Sequence, residues 1–137
     1  MPASIISEIN YSAVLVAGIV YYFLGCIWYN PKELGNIWLQ LNYLKIDGKK
    51  NYSLLLLLSL ISTLTASFIL SYFIYLAGAN SFISGAAIGI LSAIGIMTTT
   101  VGFSFASEEK QIKLVLADTG YHLISFMIMG MIISVWK

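Results

Sequence analysis

Asp118 and His122 stand four residues apart inside an otherwise apolar stretch, Leu114–Trp136. On a helix that spacing places both side chains on one face, one turn from each other. A carboxylate and an imidazole so arranged can handle a proton or an ion, or hold a small polar solute. An ionisable side chain inside a membrane-length apolar run is a functional hypothesis by default, because hydrocarbon disfavours it so strongly. A central Asp costs about 3 kcal/mol on an insertion scale, and about ten strongly apolar residues offset it at about 0.5 kcal/mol each. The stretch therefore still inserts. The competing reading is structural, with Asp118 bonding a neighbouring helix and His122 packing with a satisfied ring. Catalysis is the least favoured class. There is no nucleophile–base constellation, phosphate-cradling glycine loop or pair of catalytic carboxylates. One histidine and one cysteine, His122 and Cys26, are far apart in sequence, so no metal site and no cofactor are expected.

The elements that must position these residues follow from composition. The 137 residues are 59% hydrophobic and only 9% charged, with a mean hydropathy of +0.88. Soluble domains carry roughly a quarter charged residues, so the chain reads as an integral membrane protein whose first partner is the lipid bilayer. Its seven basic residues are all lysine and the net charge is +1, leaving no basic face for nucleic acid. The expected architecture is all-α: a single membrane domain, residues 1–137, forming a four-transmembrane-helix bundle.

The spans are expected at about 11–29, 53–77, 82–105 and 112–136, each close to the ~20 residues a crossing needs. The first follows a short polar start without a basic region, so it reads as a retained span. Gly18 and Gly25, seven apart, share a face for close helix packing. Its end, Trp28-Tyr29-Asn30-Pro31, puts aromatics at headgroup level and a proline against further helix. Residues 32–44 carry Leu34, Ile37, Trp38, Leu41 and Leu44 at helical spacing, as an interfacial amphipathic helix or a lid would. Trp28, Trp38 and Trp136 are the expected interfacial anchors. In the second span Ser59, Thr63, Ser67 and Ser71 recur every four residues. That stripe suits either close packing with hydroxyls bonded back to the helix, or the polar lining of a ligand path. The third span carries Gly85, Gly89 and Ala93 on one face, for contacts inside the bundle or between protomers. Ser107-Glu108-Glu109 has the pattern of a helix start.

Four spans place both termini and the 78–81 turn on one side of the membrane, and loops 31–52 and 106–113 on the other. Six of the seven lysines fall on the loop side, which the positive-inside rule assigns to the cytoplasm, with both termini outside. At about 1.5 Å per residue, Asp118 lies roughly 7–8 Å inside Lys113 and His122 roughly 13–14 Å. Thr99, Ser59 and Thr63, and Tyr29 with Asn30, come to similar depths by the same counting. A polar layer with one wall from each span is thus expected around Asp118, His122 and Tyr121.

Gly25-Cys26-Ile27-Trp28-Tyr29-Asn30-Pro31, followed by Gly35 and Trp38, resembles the G-x-x-W-Y-x-P … G-x-x-W opening of the DUF1761 family. Asp118-Thr119-Gly120-Tyr121 with Met129-Gly130 resembles the family's last span. The resemblance covers most of the chain and implies a small four-span bacterial membrane protein; it implies no chemistry. Asp118 is supported by both the counted layer and the resemblance, whereas His122 rests on spacing alone. The expected function is accordingly binding or conduction of a small solute or ion around Asp118 by a homo-oligomer. The alternative is an interaction or scaffold protein docking through its Gly85/Gly89 face.

Overall fold

The computed structural model describes residues 2–29, 52–108 and 112–137. Among these residues every regular element is helical, and four helices are long and apolar enough to cross a membrane. The interfacial helix expected at 32–44, with Trp38, lies outside the described residues, as does Asn30.

A short helix, Pro2–Glu8, precedes the spans. The first span, Tyr11–Trp28, begins at Asn10, whose side-chain oxygen accepts hydrogen bonds from the backbone N–H groups of Ser12 and Ala13. That N-cap satisfies two of the donors that a helix start otherwise leaves open. The same side chain donates to the Trp136 carbonyl at 2.6 Å, and the Asn10 backbone N–H donates to the Tyr75 hydroxyl at 3.0 Å. One residue thus ties the starts and ends of three spans together on the terminus side. The second span, Tyr52–Leu76, ends at Gly78, whose φ of +67° provides the left-handed turn into the third. Ser81 then caps the third span in a reciprocal box with Ser84.

The last span, Ile112–Val135, is the hub of the bundle and packs against each of the other three. Its closest neighbour is the third span, because glycines meet there. A Cβ on Gly85 would collide with the Gly130 carbonyl and Ser134, and one on Gly89 with the Phe126 carbonyl. Gly130 is tight in return against the Gly85 carbonyl. The Gly85/Gly89 face, continued by the buried Ala93, is therefore used inside the chain and is not free for docking. Gly18 plays a similar part between the first and second spans, against Leu64 and the Thr63 carbonyl. Ser67, fully buried, donates across that contact to the Val14 carbonyl at 2.8 Å.

The third span is not one regular helix. Phe82–Ser92 gives way to a π-helical segment, Ala93–Thr98, before α-helix resumes at Thr99–Glu108. A wider turn loosens the carbonyl ladder, and hydrocarbon offers no water to satisfy it. Thr99 Oγ1 lies 2.9 Å from the Gly95 carbonyl and 3.0 Å from that of Ile96, and Thr100 Oγ1 bonds the latter at 2.8 Å. The threonines thus repair the irregularity from within. Ser107 and Glu108 also depart from expectation: they end this helix instead of starting the next, and Ser107 Oγ bonds back to the Phe103 carbonyl.

The two halves of the bundle differ. The terminus-side half is sealed by Leu70, Ile74, Met129 and Ile133, none more than 1% exposed. On the loop side the second and third spans diverge. Leu54 to Leu58 are each about half exposed and Phe103 is 76% exposed, so these turns present apolar side chains to lipid on most of their circumference.

Candidate functional site

The first and last spans run antiparallel, so the order of residues along one reverses along the other. Tyr21, Gly25 and Tyr29 stand at four-residue intervals on the first span and share a face. They meet His122, Tyr121 and Asp118 on the last. The Tyr29 hydroxyl donates to Asp118 Oδ1 at 2.6 Å. The Tyr21 hydroxyl lies 2.7 Å from His122 Nδ1, with the direction of the bond set by the imidazole tautomer. Between them the Tyr121 hydroxyl donates to the Tyr21 carbonyl at 3.2 Å. Gly25 makes this possible, because a Cβ there would stand only 2.6 Å from the Tyr121 oxygen.

Tyr121 is the centre of an aromatic cluster. Its ring centroid lies 4.9 Å from that of His122, 5.3 Å from Tyr29, 5.4 Å from Tyr21 and 6.3 Å from Trp28. Phe126 closes the cluster below, edge-on to Tyr21 at 5.7 Å. Trp28 lies over Gly120, where a side chain would meet its indole at 3.7 Å. It is half-buried and packs against the core of the bundle. Trp136 is 48% exposed at the opposite end.

Asp118 and His122 are both half-buried, and each is bonded to a tyrosine of the first span. No hydrogen bond joins the pair to each other among the described residues. Beyond Tyr29, Asp118 has no hydrogen-bond or ion-pair partner among them either. Trp28 Nε1 and Ser125 Oγ are buried without a hydrogen-bond partner among the described residues. No group of three or more His, Cys, Asp or Glu stands together there as a metal site would require.

The layer has two walls instead of four. Ser59 Oγ donates to the Leu55 carbonyl and Thr63 Oγ1 to that of Leu60, so both hydroxyl protons are spent on their own helix. Thr99 is exposed and serves the π-helical segment. Depth counted along the helix axis puts these groups level with Asp118. Rotation about the axis, and the divergence of spans two and three, keeps them out of the cluster.

Tyr21 is the member that sequence reasoning missed, with Trp28 recognised only as an anchor. The available signal was the four-residue spacing of Tyr21, Gly25 and Tyr29: two hydroxylated rings flanking a gap on one helix face. That pattern complements Asp118, Tyr121 and His122 on a facing helix.

Four apolar spans, with a tyrosine-framed acid and imidazole held between the first and last, define a small multi-span integral membrane protein with one polar cluster in its loop-side half. No curated protein and no solved structure matches the chain. Residues 12–134 match the profile of a family described as "Protein of unknown function (DUF1761)", and the chain belongs to that family.

Proposed function

We propose that the protein binds a small solute or ion in the membrane, at the cluster around Asp118, and is not an enzyme. One observation carries this reading: the Asp118 carboxylate lies within a span, held through a single oxygen by Tyr29, with no cation of the described chain paired to it. A purely structural acid would be expected to spend both oxygens on neighbouring helices, since each unmet acceptor is costly there. Access is from the loop side, which the lysine distribution assigns to the cytoplasm, with both termini outside. The closed core formed by Leu70, Ile74, Met129 and Ile133 favours binding over conduction by a single copy. Passage of a solute would need a homo-oligomer whose copies line a path together.

The test is a panel of inorganic cations, anions and neutral polar solutes against the full chain in detergent micelles, read by thermal unfolding. A ligand at 100 times its Kd stabilises the folded state by about 2.7 kcal/mol. At least one compound is expected to raise the midpoint of the wild-type protein and leave Asp118→Asn unmoved. A panel in which every compound acts alike on both proteins would remove Asp118 from any binding role.

A further inference from the structure

The chemistry around Asp118 also points to the class of ligand. We propose that the site takes a singly charged alkylammonium group, seated on the Asp118 carboxylate and against the aromatic faces of the cluster. This rests on the reading of the cluster as a binding site and narrows it to one kind of occupant.

The sign of the site comes first. Among the described residues its one negative charge is the carboxylate, no lysine is paired with it, and the His122 imidazole is bonded instead to Tyr21. Lys113, the nearest basic residue earlier on the same helix, is exposed and five positions away. Five positions turn the helix by about 140°, onto a different face. Tyr29, which bonds the carboxylate, packs on Tyr121, and the rings of Tyr21 and Trp28 gather there too, within 6.3 Å of Tyr121. Aromatic faces carry negative potential and attract cations, Trp and Tyr more than Phe. Carboxylate and rings therefore act in the same direction, and an anion is disfavoured by both.

The kind of cation follows from the number and hardness of the donors. A divalent metal asks for six or more oxygens and usually several carboxylates, whereas this site offers one carboxylate among phenols. An alkylammonium is far less strongly hydrated than a divalent metal ion and finds contacts for its carbon groups on the rings. Its charge needs one counter-ion, and there is one. The surroundings suit such a ligand. Ile27 on the first span and Leu116 on the last are 63% and 65% exposed, so the loop-side ends of both helices stand in lipid. An amphipathic amine or the ammonium of a lipid headgroup can reach that depth, and the two share the same chemistry at Asp118.

The experiment measures binding of benzyltrimethylammonium to the full chain in a nonionic, lipid-free detergent by calorimetry. Its uncharged carbon isostere and benzenesulfonate serve as controls. Saturable binding of the cation is expected, weakened about tenfold or more in Asp118→Asn and restored in Asp118→Glu. Tyr29→Phe, which keeps the ring, should bind within a few-fold of wild type, and Tyr29→Leu should bind more weakly still. A second arm takes the protein from phosphatidylcholine-containing and from phosphatidylglycerol-only nanodiscs and weighs the lipid that stays attached. Selective, Asp118-dependent retention of phosphatidylcholine would make the ammonium that of a lipid, and its absence beside tight benzyltrimethylammonium binding would make it that of a free amine. Equal affinity for the cation and its neutral isostere, or unaltered cation binding in a folded Asp118→Asn protein, overturns the proposal. If an inorganic cation or neutral solute then binds in an Asp118-dependent way, the site stands and only the ligand class falls. If nothing binds, both readings fall.

Discussion

Replacing Gly89 by alanine should weaken the fold of a single chain by about 2 kcal/mol, because the added methyl has nowhere to go. It would fall on the Phe126 carbonyl, with Met127 Cα only 3.1 Å away. Both are main-chain atoms of a helix and cannot swing aside as a flexible side chain would. The third and fourth spans must therefore part, and they meet along a stripe that also includes Gly85 and Gly130. Opening such a contact by even 0.5–1 Å forfeits roughly a quarter to a half of each pairwise attraction along it. Overpacking of a tight core by one methyl costs about 1–3 kcal/mol, which brackets the figure. Gly102→Ala is the matched control. It lies on the same span, yet a Cβ there meets nothing within 4 Å. Since the span is helical both in the folded bundle and as a separated helix in the membrane, the usual helix-propensity gain of alanine cancels, and a change within about 0.5 kcal/mol is expected. Reversible unfolding in mixed micelles, with mass measured in the same detergent, reads both quantities. Gly89→Ala should lower stability and leave the mass of the particle unchanged. Unchanged stability with a smaller particle would mean that this face joins protomers, and the packing described here would be wrong.

Other consequences follow from single contacts. Asn10→Ala removes the cap of the first span and the bond to the Trp136 carbonyl, and should cost about 1–2 kcal/mol in the same unfolding assay. Tyr29→Phe deletes the donor to Asp118 and should cost about 1 kcal/mol, less than a fully buried bond to a charge because the carboxylate is only half-buried; a stability equal to wild type would mean that the bond is not held in the membrane. Thr99→Val together with Thr100→Val strips the hydroxyls from the Gly95 and Ile96 carbonyls, and should hasten amide hydrogen exchange or restore α-helical register across Ala93–Thr98. Exchange and helical register both identical to wild type would show that the threonines do not sustain the π-helical segment.

The all-helical, four-span character needed no tertiary information. Crossing hydrocarbon requires a run of about 20 apolar residues whose backbone bonds are satisfied internally, and such runs are visible as composition. The turn at Gly78 and the small-residue stripe through Gly85 and Gly89 were legible for a similar reason, since each depends on what a local residue lacks. The presence of Asp118 as an anomaly was equally plain. What composition and spacing could not supply was rotation. Apolar residues surround these helices on all sides, so little in the pattern says which face turns inward. The inward facing of Tyr21 and the outward facing of Thr99 are not encoded in spacing for that one reason, and packing alone sets them. A glycine at 25 admits Tyr121, glycines at 85, 89 and 130 draw the third span onto the last, and those contacts fix the angle at which every other side chain points. Residue order alone puts an acid and an imidazole inside a membrane-length apolar run. That each faces a tyrosine of the first span comes from packing, because helix depth is a matter of counting whereas helix facing is a matter of fit.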